Sequence, residues 1–186
     1  MNYLENGTSA KLYKYKDIAP KIHESVFLCD GVKIIGDVEI GENCSVWFNS
    51  VIRGDVHYIK IGKNTNVQDM CMFHVTNNKY ALNIGENVSI AHSVMLHGCT
   101  IKDNVLVGIG AKVLDNATVN SNSLVAAGSL VKEQFVVPEG VLVAGVPAKI
   151  IRDLKENEIE MIRKTPLNYI NYANEFRKSI KLIETK

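Results

Sequence analysis

Apolar residues recur at intervals of six over most of this chain: Ile34, Ile40, Val46, Ile52; Ile61, Val67, Phe73; Ile84, Ile90, Leu96; then Ile101, Val107, Val113, Val119, Val125 and Val131. An amphipathic helix repeats its apolar face at three and four residues, so a period of six excludes one. Two residues ahead of several of these positions stands a small side chain, as Ala111, Ala117, Ser123 and Ser129 stand before Val113, Val119, Val125 and Val131. The pattern predicts a three-sided solenoid. Each hexad supplies a short strand and a corner, three hexads close one coil of about 18 residues, and the aliphatic side chains fill the prism. The expected fold is therefore an all-β solenoid, a left-handed parallel β-helix, with C-terminal α-helix packed alongside. Gly36, Gly41, Gly62 and Gly85 each follow an apolar residue, where a corner is expected to need relaxed backbone angles.

The boundaries follow from the same pattern. Residues 1–20 form an N-terminal segment, 21–152 the β-helix with room for about seven coils, roughly 34 Å at 4.8 Å each, and 153–186 a helical segment. All thirteen glycines lie at or before Gly145. In the tail, Arg152 to Lys164 reads as one helix, and Thr165-Pro166 as the start of a second with Leu167, Ile170, Ala173, Phe176 and Ile180 on its buried face. The period breaks three times: nine residues from Ile52 to Ile61, eleven from Phe73 to Ile84, five from Leu96 to Ile101. The eleven-residue step contains Val75 to Tyr80, a polar insertion expected to leave the scaffold as a loop.

Composition narrows the function classes. Lys+Arg 21 against Asp+Glu 20 leaves a net charge of +1, which excludes the basic footprint of a nucleic-acid binder. No apolar run is long enough to span a membrane, and Met1 to Gly7 lacks the basic start and apolar stretch of a secretory leader. A cytoplasmic protein is expected. Cys29, Cys44, Cys71 and Cys99 show no Cys-x-x-Cys spacing, so they read as reduced, buried thiols.

Three of the five histidines, His74, His92 and His97, fall within 24 residues. His74 and His97 directly follow the inward Phe73 and Leu96, so alternation points both outward; His92 is out of phase with them. One prism has difficulty aiming all three at one point. A trimer about an axis parallel to the prism would resolve this at a shared site. Three neutral imidazoles with an open position are the set that lets zinc lower the pKa of a bound water to about 7. The alternative for any single histidine is an ordinary surface or core residue. Nearby, Arg53 and Asp55 share a strand face and could pair with each other or across an interface. Asn66, Gln68 and Asp69 precede His74, where an amide and a carboxylate could support a metal site.

Arg53-Gly54-Asp55, Asn66-x-Gln68-Asp69, His74, Ala91-His92-x4-His97-Gly98-Cys99 and Ala144-Gly145-Val146-Pro147-Ala148-Lys149 together resemble the gamma-class carbonic anhydrase family of hexapeptide-repeat proteins, over about Asp17 to Arg152. The Gly145-x-Pro147-Ala148 ending by itself is shared with hexapeptide acyltransferases. The resemblance implies a homotrimer with zinc or iron sites between subunits, His74 and His97 from one subunit and His92 from its neighbour. It implies that Gln68 holds a metal-bound hydroxide that attacks CO2, that Arg53 and Asp55 form inter-subunit ion pairs, that Asp69 supports the site, and that Tyr169 matches an active-site tyrosine. Active members carry a glutamate after the Arg-Gly-Asp run and another in an acidic loop; here stand Val56 and an acid-free Val75 to Tyr80. His57 is a candidate substitute for proton transfer. Imidazoles also suit Fe2+, Co2+ and Ni2+ as alternatives to Zn2+. Two further readings stay open: a hexapeptide acyltransferase or CoA-thioester hydrolase, and a non-catalytic metal-binding trimer.

Overall fold

The computed structural model describes residues 9–181 and 183; the expected absence of a leader at Met1 to Gly7, and the last residues of the 153–186 segment, lie outside them. The period of six becomes three flat faces. Ile34, Ile52, Phe73, Leu96, Val113 and Val131 stack in register on the first. Ile40, Ile61, Ile84, Ile101, Val119 and Val137 stack on the second. Leu28, Val46, Val67, Ile90, Val107, Val125 and Val143 stack on the third. All these strands run parallel, and none of the stacked side chains is more than 4% exposed. Seven rows on the third face give about seven coils. Truncating one such row, for example Leu96→Ala, removes packing worth about 2–5 kcal/mol.

Corners are set by residues in the left-handed region. Asn43, Asn64, Asn87, Asn104 and Asn122 hold φ between +53° and +57° along one corner, where each later amide donates to a carbonyl one coil back, as Asn64 does to Glu42. Asparagine tolerates this conformation better than other side chains with a Cβ. The glycines have a different reason from the one expected. Of Gly36, Gly41, Gly62 and Gly85, only Gly36 has positive φ. At Gly62 a Cβ would lie 2.6 Å from the carbonyl carbon of Gly85, so close stacking of successive coils excludes a side chain there.

The register breaks have separate structures. Gly36 pairs with Gly54 and Val38 with Ile59, so the long strand Val51–Ile61 bulges outward over Asp55 to Tyr58 opposite the single residue Asp37. Residues 75–80 leave the first face, closed by a bridge between Thr76 and Tyr80, and the Asn78 amide ties the loop back to the Val56 carbonyl at 3.1 Å. At the C-terminal end Ala148–Asp153 returns antiparallel along Val141–Gly145 and closes the third sheet.

The tail corrects two expectations. One helix, α1 (Glu156–Ser179), runs through Pro166 instead of two. Thr165 caps nothing; its hydroxyl donates back to the Met161 carbonyl at 2.7 Å. A stripe of Ile162, Pro166, Tyr169, Ala173 and Phe176, at steps of four and three, faces the third sheet, and this burial offsets the amide bond that Pro166 removes. Leu167 and Ile180 are exposed, at 56% and 46%, because they fall outside that stripe or at its end. Trp47 anchors the helix, edge-on to Tyr169 at 5.5 Å and to Phe176 at 5.0 Å. The four cysteines are buried and unpaired.

Candidate metal centre

The first face carries candidate groups at its two ends. At one end His74 and His97 are neighbours in register on strands Met72–His74 and Met95–His97, directed outward because Phe73 and Leu96 point in. His74 Nε2 lies 3.0 Å from Asp55 Oδ1, and His97 Nδ1 lies 2.5 Å from Asp115 Oδ1. Ionised carboxylates only accept, so each of these ring nitrogens carries the proton. The remaining nitrogens, His74 Nδ1 and His97 Nε2, face each other at 3.1 Å.

Arg53 holds the other oxygen of Asp55 at 2.5 Å within the same chain. Burial acts to raise the pKa of Asp55, but the hydrogen bonds from Arg53 and His74 outweigh it and bring it below the ordinary carboxylate value. Asp115 is oriented in turn by the Thr76 hydroxyl at 2.6 Å. Asp115 and Thr76 were not among the expected residues. The available signal was the five-residue step after Leu96, which shortens this coil to 17 residues and brings Asp115, 18 residues after His97, to the corner next to it.

At the other end of the face, a corner stacks Asp69 and His92 in successive coils, with the Ser93 amide donating to the Asp69 carbonyl. His92 Nδ1 lies 2.7 Å from Asp69 Oδ2. Behind the corner, Gln68 is buried and its amide donates to Asn66 Oδ1 at 3.1 Å, while Asn66 donates to the Ser89 hydroxyl at 2.9 Å. Tyr169 comes down onto this corner from α1. Burial first, then the negative charge of Asp69, pushes its phenol up to about 12, so it stays a proton donor at neutral pH.

His92 and His97 stand at opposite ends of the first face, with the left-handed turn at Ser93 and the strand Met95–His97 between them. Among the described residues no group of three ligating side chains converges. The structure thus brings His74, His97, Arg53, Asp55 and Asp115 together, and separately His92, Asp69, Gln68, Asn66 and Tyr169.

The donor set itself tests the fit to a metal. Two lone-pair nitrogens facing at 3.1 Å repel unless a cation, a proton or a metal, lies between them. Nitrogens on a tetrahedral centre with bonds of about 2.0–2.1 Å stand about 3.3–3.4 Å apart. Carboxylates behind ligating imidazoles are what metal sites use to fix tautomer and ring angle. The residues fit a metal, with the ligand set incomplete in one chain.

A three-sided coil of hexads with outward histidines defines a hexapeptide-repeat, left-handed β-helix protein, and the comparisons agree. A model of the bacterial transferase hexapeptide (six repeats) matches residues 19–54. The chain is 45% identical over 152 residues to a probable carbonic anhydrase of Methanocaldococcus jannaschii, covering 82% of this chain and 95% of that protein. It is 40% identical over 179 residues to mitochondrial gamma carbonic anhydrase 2 of Arabidopsis thaliana, covering 91% of this chain but 64% of the plant protein's length. A solved structure described as a putative acetyltransferase of Bacillus cereus superposes with a TM-score of 0.89 at 39% identity, over 92% of this chain and 99% of that one. The chain belongs to the gamma carbonic anhydrase-like family of hexapeptide-repeat proteins. Among the described residues no helix is long and apolar enough to cross a membrane.

Proposed function

We propose that the chain is a metal-dependent carbonic anhydrase-type enzyme, interconverting CO2 and bicarbonate as a homotrimer, with one zinc ion, or Fe2+, Co2+ or Ni2+, per subunit. His74 and His97 of one subunit and His92 of a neighbouring copy would hold the metal. The observation that carries the reading is the pair of facing imidazole nitrogens at 3.1 Å, each ring fixed from behind by a carboxylate. When bound, the metal would supply hydroxide at neutral pH by lowering the pKa of water to about 7.

The chain's own residues do the rest. Asp55 and Asp115 hold the Nε2 proton of His74 and the Nδ1 proton of His97, so the ligating lone pairs are preset and need no tautomer change. Asp69 does the same for His92 through Nδ1. Arg53 keeps Asp55 ionised. Asn66 clamps the Gln68 amide, whose remaining hydrogen-bonding groups would orient the attacking water. Tyr169, protonated at neutral pH, gives a donor beside the same corner. Each hydration releases one proton, and neither Val56 nor the loop from Val75 to Tyr80 offers a carboxylate to take it.

The test is metal content per subunit on anaerobically purified protein, then stopped-flow CO2 hydration with and without imidazole buffer. Near one metal per subunit with imidazole-enhanced hydration supports the reading. Metal with no turnover would make the chain a non-catalytic metal-binding trimer. Acetyl-CoA-dependent product from metal-free protein would move it to acyl transfer, the activity in the description of the Bacillus cereus structure.

A further inference from the structure

The nine-residue and eleven-residue steps of the hexad pattern meet in space. The first makes the bulge over Asp55 to Tyr58, and the second the loop whose Asn78 amide donates to Val56 at 3.1 Å. Between them and the N-terminal turn at Tyr15 lies a cavity of about 300 Å3. Two of its wall residues bear on the chemistry: Asp55, which holds His74, and His57, two residues along the same bulge.

We propose that His57 is the proton-transfer residue of this enzyme, exchanging the proton released in hydration with bulk buffer through the cavity it shares with Asp55. The inference rests on the carbonic anhydrase reading. It also stands on geometry: the three residues added to the hexad push the bulge out of the sheet, and with it a half-buried imidazole into a space large enough for several waters. Imidazole is the side chain whose ordinary titration range spans neutral pH. The charged and titratable groups lining the same cavity are Tyr15, Lys16, Asp37, Asp55 and Tyr58.

His57 Nδ1 accepts the Tyr58 backbone N–H at 2.9 Å. Within the neutral ring, this bond fixes the tautomer that carries its hydrogen on Nε2. Taking up a proton places it on Nδ1, breaks the bond to Tyr58 and frees the ring to turn in the cavity. The proton then leaves to a buffer base, returning the ring to the Nε2–H form. One proton enters and one leaves, with no change at carbon.

Oxygen-18 exchange between CO2 and water on the metal-loaded protein separates the two steps. The rate of CO2–bicarbonate interconversion at equilibrium reads the chemistry, and the rate of release of labelled water reads proton transfer. His57→Ala is expected to lower water release by at least about tenfold, to leave interconversion within about twofold, and to be rescued by added imidazole. His57→Gln, close in size, is expected to behave alike. Unchanged water release in both variants overturns the proposal, whereas no interconversion in the unmutated protein overturns the carbonic anhydrase reading instead. A second readout needs no turnover: by nitrogen-15 NMR the neutral His57 ring is expected as the Nε2–H tautomer, with the Tyr58 amide shifting at the His57 titration midpoint. A Tyr58 amide insensitive to that titration would contradict the relay.

Discussion

Asp115 Oδ1, 18 residues further along the chain and on the next coil, stands 2.5 Å from His97 Nδ1. This contact fixes which nitrogen of His97 carries the proton and which keeps its lone pair. Asp115→Asn keeps the shape but offers an amide that can present either its carbonyl or its N–H. The expected outcome is a 10–100-fold loss of metal affinity with unchanged circular dichroism, measured by competition with a chromophoric chelator. Affinity within twofold of the unmutated protein would show that Asp115 does not orient the ring.

Gly62 and Gly110 separate two uses of glycine. A Cβ at Gly62 meets the Gly85 backbone at 2.6 Å, whereas at Gly110, φ +67°, it meets nothing within 4 Å. Gly62→Ala is therefore expected to cost about 3 kcal/mol, the upper end for overpacking, and Gly110→Ala about 1–2 kcal/mol of backbone strain. Urea denaturation midpoints decide the order.

The Arg152–Glu158 pair carries a pH dependence. Both guanidinium N–H groups reach Glu158 at 2.8 Å, and its carboxylate also accepts the Lys155 amide. Chiefly the Arg152 hydrogen bond, then that amide, brings the Glu158 pKa down from 4.5 to about 2. A folded pKa below the unfolded one means the contribution is complete above the unfolded value and fades as pH falls through it towards about 2. Glu158→Gln in metal-free protein should lower the urea midpoint at pH 7 and leave it nearly unchanged near pH 2. An equal loss at both pH values would contradict the charge-based account.

The thiols should be silent in the folded protein. Burial pushes Cys29, Cys44 and Cys71 up to about 12, and Cys99 up as well. A chromogenic disulfide reagent is expected to label none of the four until denaturant is added, and fast labelling of any one in native buffer would contradict the packing.

The prism was legible because the inward residue of every hexad is aliphatic or aromatic: each position from Ile34 to Val131 in the sequence series is buried on the face its spacing assigns. The break between Ile52 and Ile61 was visible as arithmetic, but not that it becomes a bulge presenting Asp55 and His57. Asp115 is not legible from an unbroken count of hexads, because the five-residue step after Leu96 shortens that coil to 17 residues, so that Leu114 takes the register of His97 and Asp115 reaches the ring from the following position. At Thr165-Pro166 the local start signal loses to burial of Ile162, Pro166 and Ala173 against the third sheet, and one helix runs through. Local signals decide an exposed helix end, and tertiary packing overrides them where a continuous apolar stripe is available.

The central claim is that two imidazoles from one chain and one from another complete each metal site. Complementation tests it most directly. His92→Ala and His97→Ala proteins are purified, their metal content measured, and the two refolded together at equal ratio with trimer formation checked by light scattering. The account predicts almost no metal in either variant alone and recovery in the mixture to about a quarter of an ion per subunit, since each interface of a closed ring has a one-in-four chance of pairing an intact His74–His97 with an intact His92. Mixed trimers that remain metal-free, or either variant alone keeping a full complement, would contradict it.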